Sequence, residues 1–232
     1  MAYDIQDVHY DETLGRIGNG YLTETDSALP PLSYRNFFKR FLDIALVMCS
    51  SVIVVPAIAI MAALVALDGH KPFYTQERIG KGNKRFRIFK MRTMVPNADK
   101  ILNEHLEKDP ALKAEWLATQ KLKKDVRVTA VGRILRKTSL DELPQLWNVL
   151  TGTMSLVGPR PMMIDQQQLY PGHRYYRLRP GITGFWQISA RNNCDFSRRA
   201  VYDDAYDRSV SLKTDLGVLA RTVRVVLRGT GC

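Results

Sequence analysis

Cysteine is scarce in this sequence: Cys49, Cys194 and Cys232 are the three among 232 residues. Their odd number and wide spacing exclude a disulfide framework and a cysteine-rich metal site, and a reducing compartment is their simplest setting. The four histidines, His9, His70, His105 and His173, lie far apart, suggest no zinc site and read as surface residues. No glycine-rich loop ends in Lys-Ser or Lys-Thr, which argues against a P-loop nucleotidase. There is no internal repeat and no low-complexity run. The first 34 residues are acidic and polar, so no signal peptide is expected there.

Acidic residues are also few relative to basic ones. The formal net charge is +11, and it is unevenly spread: Asp4, Asp7, Asp11, Glu12, Glu24 and Asp26 face only Arg16 in the first 34 residues, leaving that leader at −5 and the remainder at +16. Such a surplus suits nucleic acid, anionic lipid head groups or phosphorylated substrates, and composition alone does not choose among them. Hydrophobic residues at 45% and charged residues at 25% are ordinary globular usage, enough for one domain with an appended membrane element.

The longest uncharged stretch is 44–67, with Arg35, Lys39 and Arg40 before it and Lys71, Arg78, Lys81, Lys84, Arg85, Arg87, Lys90 and Arg92 after it. As a straight helix it would reach roughly 36 Å, enough to cross a hydrocarbon core of about 30 Å. Pro56, at its middle, denies the Val52 carbonyl its helical donor, and Ser50 and Ser51 are one turn away to supply hydroxyls. Basic residues at both ends favour keeping both ends on one side, as a re-entrant helix bent near Pro56. A single tilted span with the acidic leader outside fits the same residues.

Beyond this segment, Phe73–Ile79 and Arg85–Met91 flank the turn-rich Gly80-Lys-Gly-Asn83 and predict a small β-hairpin. Residues 98–124 favour helix, broken at Asp109-Pro110; 139–150 predict a short amphipathic helix, and 162–170 another. Residues 179–189 are expected to be irregular. Leu212–Leu227 predicts a basic amphipathic helix with Leu212, Leu216, Leu219, Val223, Val226 and Leu227 near one face, either in the head-group plane or closing a core.

The sharpest chemical feature is Ser139-Leu-Asp-Glu-Leu-Pro144. Ser139 and Glu142 match a capping box, and Pro144 fits the first helical position after Leu143; that bland explanation stands beside a catalytic one for Asp141 and Glu142. Basic residues recur nearby among Gly and Pro: Lys90 and Arg92, Arg133 through Arg136 to Lys137, Pro159-Arg160-Pro161, and Arg191. Several such clusters around one acidic pair suit a diphosphate site, in which carboxylates hold magnesium and cations offset phosphate charge. The prolines on either side of Arg160 would hold its backbone ready for a ligand. Neighbouring carboxylates on one turn do not provide the separation a glycosidase needs.

Five segments, Phe73-Tyr-Thr-Gln-Glu-Arg-Ile-Gly80, Phe89-Lys-Met-Arg-Thr-Met94, Ser139 through Leu150, Met154-Ser-Leu-Val-Gly-Pro-Arg-Pro161 and Arg179-Pro-Gly-Ile-Thr-Gly184, stand in order. Together they resemble the bacterial sugar transferase family, the monotopic polyprenyl-phosphate hexose-1-phosphate transferases, from about Arg35 to Arg228. Within that family the chain looks most similar to exopolysaccharide-initiating enzymes that load galactose 1-phosphate or glucose 1-phosphate onto undecaprenyl phosphate.

The resemblance implies an α+β, mostly helical monotopic membrane protein with one re-entrant membrane helix, a small β-hairpin and interfacial amphipathic helices. Residues 1–34, acidic and outside the resemblance, read as a flexible leader; the resemblance makes 35–70 the membrane helix, broken at Pro56, and 71–232 a catalytic domain on the cytoplasmic face of the inner membrane. It implies Asp141 as nucleophile and as the Mg2+ site, Glu142 as its assistant, and Lys90, Arg136 and Arg160 as phosphate-handling residues, with Arg92, Pro159, Pro161 and Arg191 as further candidates. Expected partners are UDP-hexose, undecaprenyl phosphate and the bilayer, with a homodimer as a further option and no nucleic acid; UMP is the expected product. Two departures stand out: Val55 where the family often has Ser, and Thr153 where many members have Asp. Two rival readings stay open, a membrane-tethered basic binding protein without catalysis, and direct attack by the lipid phosphate with Asp141 only holding metal.

Overall fold

The computed structural model describes residues 32–119, 122, 125–189 and 196–227, so the leader up to residue 31, Arg191, Cys194 and Cys232 lie outside the described residues. A π-helical turn, Tyr34–Phe38, leads directly into α1, Lys39–Ala66. Together they make the 33-residue helix Tyr34–Ala66, long and apolar enough to cross a membrane. The α-helix runs through Pro56 without interruption. Ser50 and Ser51 do not serve the Val52 carbonyl as expected: their hydroxyls donate back to Val47 O (3.1 Å) and Met48 O (2.7 Å). The reason is directional, because a helical serine reaches the carbonyl three or four residues before it. Only a hydroxyl at or just beyond position 55 could reach Val52, and Val55 has none.

Both ends of α1 are tied to the rest of the chain. At its start Lys39 pairs with Asp215 (2.6 Å), Arg35 with Asp207, and the buried Asp43 carboxylate accepts from Leu156 N (3.1 Å). Arg40 donates to the carbonyls of Val149 and Leu150. At its end Arg92 donates to Val65 O (3.0 Å) and to the Asp68 carboxylate (2.6 Å). Between them Val47 packs with Ile88, Val149 and Met154, and Met61 and Val65 pack with Met91 and Leu135. The opposite side leaves Phe41, Met48, Val52, Ile53, Ile60 and Leu67 exposed.

The hairpin forms as expected: β1, Phe73–Ile79, pairs antiparallel with β2, Arg85–Met91, through a turn in which Gly82 and Asn83 have positive φ. The helical stretch expected over 98–124 is α2, Ala98–Lys108, and α3, Pro110–Thr119. They divide at Asp109, whose carboxylate accepts from Ala111 N (2.9 Å) and Leu112 N (3.1 Å). Helix α4, Ala130–Thr138, begins at Thr129, whose hydroxyl oxygen accepts from Gly132 N (2.9 Å). At Gly132 a Cβ would stand 2.0 Å from the Thr93 carbonyl oxygen, so glycine lets α4 lie against the end of β2.

Residues 139–150 are not one helix. A 3-10 helix, Leu140–Gln145, precedes the short α5, Leu146–Leu150. Segment 162–170 likewise holds only the 3-10 helix Asp165–Leu169. Residues 179–189, expected to be irregular, hold β4, Gly181–Thr183, and α6, Phe185–Ser189. Strand β4 pairs parallel with β3, Ser155–Val157. This pair explains two of the motifs together. A Cβ on Gly158 would sit 2.3 Å from Arg179 O, and one on Gly181 2.1 Å from Gly158 N, so both glycines serve backbone-to-backbone approach.

Helices α7, Arg199–Ser209, and α8, Leu212–Leu227, close the domain. Of α8, Asp215 and Val218 are buried while Leu212, Leu216 and Val223 stay exposed. One face of this helix therefore closes the core, and a second apolar stripe remains exposed.

Candidate active site

The site is assembled where the 3-10 helix meets β2. The edge of β2 away from β1 is taken by a side chain: Phe89 N donates to Asn148 Oδ1 (3.0 Å), and Asn148 Nδ2 donates to Arg87 O (2.7 Å). A primary amide thus imitates a neighbouring strand and fixes α5, with the preceding 3-10 turn, against the strand that carries Lys90. Thr153, which stands where an Asp was expected, supports this link: Asn148 Nδ2 donates to its hydroxyl (3.2 Å), and that hydroxyl donates to Asn148 O (3.2 Å).

The capping-box explanation of Ser139 and Glu142 does not hold. Ser139 has φ +58° as it ends α4, and its side chain makes no cap hydrogen bond. Pro144 sits inside the 3-10 helix rather than at a first α-helical position. Glu142 instead turns to the cations, accepting from Lys90 Nζ at 2.8 Å and standing 3.6 Å from Arg160. Asp141 has no side-chain partner within hydrogen-bond or ion-pair distance among the described residues. Burial pushes its carboxyl above the usual aspartate range and Glu142 adds to this, while Lys90 and Arg136 pull it back. Arg136 is held by its Nε bond to the hydroxyl of buried Thr93 (2.9 Å).

Arg160 leaves the end of β3 between the buried Pro159 and the half-buried Pro161. Its carbonyl accepts from Arg199 Nη2 (2.7 Å), and both guanidiniums face Trp186, at 5.9 and 5.1 Å from the ring centroid. Arg199 went unnoticed in the sequence because it lies outside the five motifs and acts through a backbone atom. The structure therefore brings together Lys90, Arg136, Asp141, Glu142 and Arg160. It does not bring Arg92, whose guanidinium is committed to Val65 O, Asp68 and Lys71 O at the end of α1. Arg191 lies outside the described residues.

Two recesses flank the pair. One is polar and narrow, with Arg78, Lys90, Glu142, Gln145 and Arg160 among its walls. The other is an apolar groove of about 350 Å³ between α1 (Val47, Val54, Ile58), the hairpin (Phe73, Phe89) and the residues just after the pair, Leu143, Pro144 and Trp147. A carboxylate pair thus lies between a cationic pocket and a greasy groove on one 3-10 helix.

The chain is similar to the undecaprenyl-phosphate galactose phosphotransferase of Salmonella typhimurium, 46% identical over 200 residues, which are 84% of this chain and 41% of the relative. It is also similar to the UDP-galactose-lipid carrier transferase of Erwinia amylovora, 42% identical over 197 residues, 84% of this chain and 41% of the relative. The chain thus spans under half the length of these two relatives. The exopolysaccharide production protein ExoY of Sinorhizobium fredii is 39% identical over 214 residues, covering 91% of this chain and 94% of that protein. The family model for bacterial sugar transferases matches residues 34–229, and with the site geometry above the chain belongs to the bacterial sugar transferase family.

Proposed function

We propose that the chain is a phosphoglycosyl transferase that moves hexose 1-phosphate, galactose or glucose, from a UDP-hexose to undecaprenyl phosphate in exopolysaccharide synthesis. The observation that carries this reading is Asp141: a half-buried carboxylate without a side-chain partner, set among Lys90, Arg136 and Glu142 and one residue pair away from an apolar groove. The galactose-specific names of two relatives support the substrate class.

In the proposed course an Asp141 carboxylate oxygen attacks the sugar-bearing phosphorus. The phosphorus–oxygen bond to UMP breaks, UMP leaves with the bridging oxygen, and an acyl phosphate joins Asp141 to the hexose phosphate. A phosphate oxygen of undecaprenyl phosphate then attacks the same phosphorus, releasing the carboxylate and giving undecaprenyl-diphosphate hexose. Burial aids the first step by stripping water from the nucleophile, while Lys90 and Arg136 keep enough of it ionised. Glu142, braced by Lys90 and Arg160, holds these cations in place and orients the lipid phosphate in the second step.

Magnesium fits the donor set. Among the described residues no group of three or more His, Cys, Asp or Glu forms a cage, but Mg2+ characteristically takes one or two carboxylates together with substrate phosphates and water. Asp141 is the residue that would hold it, and the ion would offset charge on the diphosphate.

The second substrate is a lipid, and the apolar groove beside Leu143 and Pro144 suits its isoprenoid chain. The exposed side of α1 and the outer stripe of α8 would rest in the bilayer. That both ends of α1 are tied to one domain supports a monotopic arrangement with those ends on the cytoplasmic face of the inner membrane, as a re-entrant element rather than a span. The test is a panel of nucleotide-sugars with undecaprenyl phosphate and Mg2+ in nanodiscs. UMP released from UDP-galactose or UDP-glucose is expected; no nucleotide released from any donor would overturn the proposal and favour a binding protein.

A further inference from the structure

Arg78 was not singled out by charge clustering, yet it stands in the polar pocket. It lies opposite Phe86 in the hairpin register, as Tyr74 lies opposite Lys90. The two-residue period therefore sets Arg78 and Lys90 on one face of the hairpin, and both line the pocket with Glu142 and Arg160. Its Nη2 donates to Gln76 Oε1 (2.6 Å), but its Nη1 is closed off from solvent and meets no acceptor. No carboxylate lies within ion-pair distance of it among the described residues. Lys90 and Arg160, by contrast, share Glu142. Burial first and the neighbouring Arg160 second push the Arg78 guanidinium below its ordinary pKa, against a weaker opposite pull from Tyr74, Tyr175 and Asp165, so the pocket holds a buried cation without a carboxylate in ion-pair contact among the described residues. By contrast, Arg35 is paired with Asp207 and Arg127 with Asp125.

We propose that Arg78 is a further phosphate-binding residue of this site, taking the phosphate of the leaving nucleotide. This deepens the proposed function and rests on it for the identity of the ligand. The placement follows from the order of charges. Arg136 and Lys90 act on Asp141, Glu142 bridges Lys90 to Arg160, and Arg78 adjoins Arg160 at the end remote from the nucleophile. In an in-line displacement the leaving oxygen lies opposite the attacking one, so the remote cation meets the departing phosphate. Arg160, with its side chain 39% exposed, is the group able to give way as the ligand enters.

The test titrates UMP and, separately, inorganic pyrophosphate into the full chain held in nanodiscs, as wild type, Arg78→Gln and Arg78→Lys. Melting temperature and the KM for undecaprenyl phosphate are followed in parallel. Arg78→Gln is expected to weaken both ligands about tenfold or more, Arg78→Lys to recover part of the loss, and the KM for the lipid to stay unchanged. Wild-type affinity in Arg78→Gln overturns the inference. So does a Gln variant whose melting temperature falls and whose lipid KM rises along with the loss of ligand binding, since that marks a structural arginine. The pyrophosphate arm decides Arg78 alone. Wild-type protein that binds pyrophosphate but not UMP contradicts the uridine donor instead.

Discussion

Two groups of acids lie among basic residues in this molecule, and they are finished differently. Near the start of α1, Asp207 is held by Arg35 and by Arg174 at 3.0 Å, while Asp215 accepts from Tyr34 (2.7 Å), Lys39 (2.6 Å) and Tyr206 (2.7 Å). Both carboxylates are almost wholly buried. In the 3-10 helix, Glu142 is paired but Asp141 has no side-chain partner among the described residues, although burial raises the Asp141 carboxyl above its ordinary range. The first group is closed and docks α1 onto the domain. The second keeps one carboxylate for an incoming ligand. Charge pattern in sequence looks alike in both places; what separates them is whether the partners are already used.

Four substitutions test this contrast. Asp141→Asn is expected to lower turnover by about three orders of magnitude or more while leaving the fold as stable as wild type, because it removes a charge that burial penalises. A melting temperature that falls with activity would place Asp141 among the structural acids. Asp207→Ala should do the reverse. It removes the buried carboxylate that Arg35 and Arg174 share and is expected to cost about 3–5 kcal/mol, read as a lower melting temperature, while the folded fraction keeps its turnover.

A subtler effect concerns Asp203, which accepts from Tyr170 (2.7 Å) and is pushed up to about 6, mainly by burial. Against an unfolded value of about 3.9, the folded chain takes up this proton first. Stability at this group is therefore lowest above pH 6 and increases as pH falls through 6 toward 4. Asp203→Asn is expected to flatten that part of the stability–pH curve; an unchanged curve would refute the assignment. Smallest is Val55→Ser, which supplies a hydroxyl three residues after the Val52 carbonyl, the spacing already used by Ser50 and Ser51. It should stabilise the helix by under about 1 kcal/mol. Thermal unfolding in nanodiscs checks it, and destabilisation would count against a lipid-buried Val52 carbonyl.

Local signals were legible in the sequence. The hairpin followed from its Gly-Asn turn and flanking strands, α8 from its apolar period, and the break at Asp109-Pro110 from turn chemistry. What failed was non-local. The β3–β4 pair joins residues 155–157 to 181–183, and nothing within 179–189 announces a strand until its partner is known. Ser139 carries no sign that it will adopt positive φ, so its capping box was an accident of composition. Arg92 was grouped with Lys90 by proximity, but it lies just past the end of β2, beyond the strand's two-residue alternation of faces, and it serves the end of α1. That alternation, applied to β1, was the signal that could have found Arg78.

The proposed reaction turns on an acyl-phosphate bond at Asp141. Protein given UDP-hexose labelled in the sugar, with Mg2+ but without any lipid, should gain the mass of a hexose phosphate on the peptide containing Asp141 and release an equal amount of UMP. Full turnover in the presence of lipid with no such labelled peptide, under conditions that preserve acyl phosphates, would contradict it and leave direct attack by the lipid phosphate as the course of the reaction.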